Sequence, residues 1–241
     1  MSNDSKMSFL EHLGELRKRI IFILIILTIT SICGFCFADL LLNFFIKPFS
    51  ATALEANIIG TAPAEAFLLR LKVSIFAGFI LALPFIFYHL WAFIAPGLYA
   101  SEKKLSLVFI FFTTLLFILG ATFSYYLVLP YAFQFFISEY HSLAITPQIK
   151  VSELISFILN ILLVFGVIFD IPIISFLLAR VGILTPSFLI KWFRPAIVTV
   201  FVVAAVLTPP DIFTQLLMAV PLLLLYGISI LIVKICYKKR N

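Results

Sequence analysis

From Ile20 to Phe37 the chain runs 18 residues without a charge, and with a single aspartate the apolar character continues to Ile46. Five more such runs follow, at 73–95, 105–137, 154–179, 195–207 and 212–233. About 20 apolar residues cross the hydrocarbon core of a bilayer. Six runs of this kind leave no room for a water-soluble fold. Hydrophobic residues make up 63% of the 241 and charged residues 12%, against roughly 45–50% and about 25% in soluble domains. The polar surface cannot cover such a core, so the solvent for most of the chain is lipid. The expected fold is all-α: six transmembrane helices in one membrane domain, 1–241.

The fifth run is short. Only 14 residues separate Arg194 from Pro209, roughly 21 Å of helix against a core of about 30 Å. Such a span thins the bilayer or is covered by protein.

Lys and Arg set the orientation, because cytoplasmic loops carry the excess. Thirteen of the 17 fall in the N-terminal segment, in 96–104, in 180–194 and in the tail, against four (Lys47, Arg70, Lys72 and Lys150) on the other side. Both termini are therefore cytoplasmic, as an even number of spans requires. The external acids Asp39, Glu55, Glu65, Glu139 and Glu153 reinforce the sign. The external segments 47–72, with Pro48 and Pro63, and 138–153, with Pro147, are expected to carry short helices or to pack as a cap. The cytoplasmic links 96–104 and 180–194 are short. Within the spans Pro84, Pro130, Pro172 and Pro221 predict kinks and a curved bundle.

The first run is too long for a signal peptide, whose apolar region is about 7–15 residues, and no small-x-small cleavage site follows it. The net charge of +6 does not indicate nucleic acid, since the basic residues sit in short tracts between apolar runs. Cys33 and Cys36 form a CxxC inside the first run, with only Cys236 besides. They read as small buried hydrophobes, because a reactive thiolate needs an electropositive, partly wet site. A membrane thiol oxidoreductase is the rival reading of that pair.

Enzyme signatures are missing: there is no HExxH, no GxSxG and no phosphate-binding glycine loop. No catalytic residue, metal site or cofactor is expected. Asp170 in "VIFDIP" and Asp211 in "LTPPDIF" lie at different depths, which argues against an aspartyl dyad. A mid-span acid costs at least ~2.5–3.5 kcal/mol on insertion scales. Asp170 reads either as a functional group facing water, as in a proton-coupled carrier, or as a hydrogen-bond donor to backbone freed by Pro172. Thr208 and Gln215 give the outer ends of the last two runs a polar face. In lipid such a face bonds a neighbouring helix, from this chain or a partner. Glu15 beside Arg17, and Glu102 beside Lys103 and Lys104, read either as locally paired surface charges or as two carboxylates offered to a guanidinium pair.

Four stretches settle which readings to prefer. "HLGELRKRI" at 12–20, "YHLWAFIAPGLYASEKK" at 88–104, "FGVIFDIPI" at 165–173 and "LTPPDIFTQLLMAVPLLLLY" at 207–226 together resemble the TatC family, the multispanning receptor subunits of the twin-arginine protein translocase. The resemblance runs in order over nearly the whole chain. It implies a cupped six-helix bundle with short fifth and sixth helices, both ends cytoplasmic, in a bacterial inner membrane. It also implies recognition, not bond-making. Glu15 and Glu102, with Arg17, would bind the arginine pair of a signal peptide on a folded cargo protein. Phe93 and Pro48 match family positions linked to recognition or assembly, and Asp170 and Asp211 are assembly positions. Thr208 and Gln215 would dock single-span partners resembling TatA and TatB in an oligomeric complex driven by the proton-motive force. The family usually has glutamate where this chain has Asp170, and Ala204 and Ala205 leave the docking face otherwise plain.

Overall fold

The first apolar run is two helices. In the computed structural model, which describes residues 9–52, 56–94, 106–180, 182–207 and 211–237, α1 covers Phe9–Cys36 and α2 covers Ala38–Thr52. The expected single span at 20–46 is broken at Phe37. α1 starts well before Ile20 because Glu15 and Arg19, one turn apart, pair across its surface. At the break the Phe37 N–H still donates to the Gly34 carbonyl at 3.1 Å, and the Leu41 N–H to the Phe37 carbonyl at 3.0 Å. The chain bends without orphaning these groups. Asp39 lies in the first turn of α2, where its charge suits the helix dipole, and it pairs with Arg70 at 2.8 Å. Pro48, expected in a loop, is buried inside α2.

The external segments meet as a strand pair. β1 (Asn57–Ile59) and β2 (Gln148–Lys150) run parallel, with Ile58 opposite Ile149. Each leads into a helix descending through the membrane, α3 (Glu65–Ile94) and, after α4 and α5, α6 (Val151–Phe169), so the two strands must point the same way. Glu65 locks the arrangement. Its carboxylate accepts from the N–H groups of Thr61 and Ala62 and from the N–H of Ser152, at 3.2 Å, on the other segment.

The 30 residues of α3 are roughly 45 Å long, about 15 Å more than the hydrocarbon core, and its first turns stand outside the membrane. The Ser152 hydroxyl and the Thr61 and Ala62 amides hold the Glu65 carboxyl down at about 2. Folding therefore favours its charged form. The resulting stabilisation is complete above pH 4.5 and is lost as the pH falls towards 2. Glu65→Gln removes that charge at every pH. Hydrogen-exchange mass spectrometry should then show lower protection of the Thr61, Ala62 and Ser152 amides at pH 7, whereas wild-type protection factors stay constant from pH 7 to pH 5.

Inside the membrane α4 (Ser106–Phe123) continues through a π-helical turn (Ser124–Val128) into α5 (Leu129–Ser142), giving an apolar helix of 36 residues, Leu107–Ser142. The π turn carries Tyr125, which reaches the middle of α2. Its hydroxyl donates to the Phe44 carbonyl at 2.7 Å and its ring stacks on Phe44 with centroids 4.5 Å apart. α6 is the central helix, with Ile155, Ile158, Ile161 and Phe165 all fully buried at helical spacing. It ends at Asp170, and α7 (Ile171–Arg180) resumes with Pro172 in its first turn, the position a proline tolerates.

The link after α7 carries a short helix, α8 (Pro186–Lys191), whose N-cap Thr185 accepts from the Phe188 N–H at 3.2 Å. α9 (Phe193–Leu207) has 15 residues, about 22 Å, and remains the short span. α10 (Ile212–Cys236) returns the chain to the cytoplasmic side. Among the described residues five helical segments are long and apolar enough to cross a membrane, and α9 is a shorter sixth.

α1 is the outermost helix and packs chiefly on α3. The backbones meet at small residues. The Thr30 hydroxyl donates to the Gly78 carbonyl at 2.8 Å, and a Cβ on Gly34 would stand 2.8 Å from the Ser74 carbonyl oxygen. Cys33 and Cys36 lie near the external end of α1, Cys36 at the edge of its groove with α3. Both are exposed rather than buried as expected, since α1 covers only one face.

Candidate functional site

Arg19 organises the cytoplasmic ends of α1 and α3. Its Nε donates to Glu15 Oε1 at 2.9 Å and its Nη2 donates to the same oxygen. Nη2 also donates to the Ala92 carbonyl at 3.1 Å. A single guanidinium thus joins a carboxylate on α1 to the last turns of α3, beside Phe93. Just inside, the His89 ring of α3 stacks on Phe22 of α1 at 5.9 Å and 4°. Trp91 packs against Phe109 of α4 with centroids 4.6 Å apart.

Arg17 was the apparent neighbour of Glu15 in sequence, but residues two apart leave a helix on different faces. Arg17 is exposed, and Arg19, at i+4, holds the ion pair. Periodicity alone could have found that partner. Arg19 and the Ala92 carbonyl are the two groups here that are not among the expected site residues. Glu102 and Thr208 lie outside the described residues.

The remaining residues fall elsewhere. Asp170 is 3% exposed at the α6–α7 junction, and its Oδ1 has no hydrogen-bond partner, so this oxygen does not repair the backbone around Pro172. Asp211 is the N-cap of α10: one oxygen accepts from the Thr214 N–H at 2.7 Å and the other from the Thr214 hydroxyl. With its carboxylate committed there, Asp211 is no partner for a dyad. Gln215 Nε2 donates to the Phe201 carbonyl of α9 at 3.1 Å. That donor ties the last two helices together within the chain. Ala204, on the same side of α9, is fully buried in the core, whereas Val198, Val202 and Val206 form an exposed stripe one turn apart.

Fold and charge distribution define the class first: a six-span helical membrane protein with a cluster of charged side chains at its cytoplasmic rim. The chain belongs to the TatC family. The family model described as "Sec-independent protein translocase protein (TatC)" matches residues 11–221. The Aquifex aeolicus Sec-independent protein translocase protein TatC is 39% identical over 236 residues, 98% of either chain. The Helicobacter pylori protein of the same name is 39% identical over 92% of this chain and 86% of its own. A crystal structure of the twin-arginine translocase receptor TatC superposes with a TM-score of 0.86 at 38% identity, covering 94% of this chain and all of that one. The protein is accordingly a multi-pass component of a bacterial protein translocase, a transport protein rather than a catalyst.

Proposed function

We propose that the cytoplasmic end of α1 and the residues that follow α3 in sequence form a receptor for paired guanidinium groups in the signal peptides of folded export cargo. Glu15, Glu102, Arg17 and Phe93 are its residues. One observation carries this reading: Glu15 already holds a guanidinium, that of Arg19, with two donor nitrogens on its carboxylate and a third contact on the Ala92 carbonyl. These contacts support the reading that the rim can take up a signal arginine. Glu102 follows the end of α3 by eight residues, close enough in sequence to bring a second carboxylate. Carboxylates bind guanidinium through charge-assisted bonds about twice as strong as neutral ones.

TatA-like and TatB-like single-span partners would pack on the short α9, with the proton-motive force as the energy source. The exposed Val198, Val202 and Val206 support that surface better than Gln215, whose donor is already engaged. Pro48, Asp170 and Asp211 act in shaping and assembling the bundle.

The test exchanges the arginines of the peptide. Lysine keeps the charge but offers no planar fork. A twin-lysine signal peptide should bind the full chain in nanodiscs at least about tenfold more weakly than the twin-arginine one, measured by fluorescence anisotropy. Equal affinity would remove the guanidinium from the recognition.

A further inference from the structure

The cytoplasmic rim already contains a guanidinium, and it bridges two helices. Arg19 Nε and Nη2 both donate to Glu15 Oε1 on α1, and the same Nη2 donates to the Ala92 carbonyl on α3 at 3.1 Å. Charge-assisted bonds are roughly twice as strong as neutral ones, so the carboxylate fixes where Arg19 stands and the bond to Ala92 depends on it. Around this clasp α1 is lightly packed. From Leu13 to Thr30 no residue of α1 is buried, and Gly34 is the first that is. Besides the clasp, this half of the helix sets the Phe22 ring on His89, and Phe22 is itself 56% exposed. The tight contacts lie further out, where the Thr30 hydroxyl reaches the Gly78 carbonyl and a Cβ on Gly78 would overlap the Ser31 backbone. Thr30 follows Arg19 by 11 residues, roughly 16 Å along the helix. α1 thus has a firm pivot in its outer half and a charged clasp at its inner end.

We infer that Arg19 is a resident stand-in for a signal arginine, and that its displacement from Glu15 releases the cytoplasmic end of α1 from α3. The inference rests on the receptor reading of Glu15 and adds a consequence to it. A signal guanidinium that binds Glu15 takes the oxygen Arg19 holds, and two like charges side by side repel. Arg19 leaves the carboxylate. Its bond to the Ala92 carbonyl is then a single exchange with water, and such an exchange contributes little. The inner end of α1 comes free, while the contact at Gly78 keeps the helix on the bundle and Glu15 at the rim. Binding of the signal is thereby converted into a movement of α1. Linkage makes the effect reciprocal: whatever holds Arg19 on Glu15 weakens the signal by the same factor. Both side chains of the pair are about one-fifth exposed, and pairs with access to water account for up to about fivefold.

The test is a spin-label distance measurement by pulsed double resonance on the full chain in nanodiscs, with Cys33→Ser, Cys36→Ser and Cys236→Ser as background. The labels go on Gly14→Cys and Ile190→Cys. Gly14 lies at the inner end of α1 with nothing within 4 Å of a Cβ, and Ile190 is exposed on α8, which Leu189 docks against α10. A saturating twin-arginine signal peptide should shift and broaden the distance distribution. Arg19→Gln should show the shifted distribution before peptide is added, change little afterwards, and bind the peptide about fivefold more tightly by fluorescence anisotropy. Arg19→Lys keeps the charge without the planar fork and should fall between the two. An arginine with a purely structural role gives the opposite sign, because its loss loosens the site and weakens binding. Peptide that binds the wild type and leaves the distribution unchanged overturns the clasp alone, with the receptor reading intact. An affinity of Arg19→Gln at or below that of the wild type does the same. A peptide that fails to bind the wild type ends both.

Discussion

Glu15→Gln combined with Glu102→Gln is expected to reduce photocrosslinking of a twin-arginine signal peptide to background, while each single change leaves a measurable remainder. A hydrogen bond to a charged group contributes about 1.5–3 kcal/mol, so losing one carboxylate weakens binding roughly 10- to 100-fold. Losing both weakens it by about 100-fold or more, and coupling between neighbouring charges makes the two losses non-additive. Glutamine preserves side-chain volume, so the helix and its packing stay intact. On the proposed reading an incoming guanidinium would have to displace Arg19, which pairs with Glu15 in this structure. Arg19→Gln removes that competitor, and peptide affinity should rise severalfold. Undiminished crosslinking in the double glutamine variant would end the assignment of these carboxylates to the signal.

The second large effect is on stability. Gly78→Leu should separate α1 from α3, because even a Cβ at this position overlaps the Ser31 backbone of α1, and backbone cannot move aside as a flexible side chain can. Overpacking costs typically about 1–3 kcal/mol, and a clash against backbone lies at or above the top of that range. Because α1 packs chiefly on α3, the whole helix would loosen, carrying Glu15 and Arg19 away from Ala92. The thermal transition in detergent should fall sharply and peptide binding should fall with it. Gly227→Ala is the control. Nothing lies within 4 Å of a Cβ there, and alanine in place of glycine inside α10 should be neutral or stabilise by about 0.5–1 kcal/mol. A transition for Gly78→Leu no lower than that of Gly227→Ala would mean that the close contact of α1 and α3 is dispensable.

Much of this architecture was legible in the residues. Apolar runs and the Lys/Arg bias specify how many times the chain crosses and which way round, because both follow from transfer free energies that each segment carries alone. The shortness of α9 could be measured with a ruler of 1.5 Å per residue. Four motifs pointed to the family. The break at Phe37 was not legible: the one charge beside it, Asp39, does not by itself stop an apolar helix, and α2 is held at its new angle from outside, by Arg70 on Asp39 and Tyr125 on Phe44. The exposed cysteines escaped for the same reason, since an apolar run does not say which of its faces meets protein and which meets lipid.

At the rim, sequence determined that Glu15 stands among basic residues at the cytoplasmic mouth of the first span, because composition and orientation require nothing beyond local order. Tertiary structure decided what the paired base reaches on the neighbouring helix. Helical periodicity passes over Arg17 and selects Arg19, and the packing of α1 on α3 then brings that guanidinium to the Ala92 carbonyl. Gln215 shows the same division: its polar nature at the outer end of α10 could be read directly, but only the approach of α9 assigned its amide to Phe201. Hydrogen bonds between helices depend on rotation and depth, which no single segment specifies by itself.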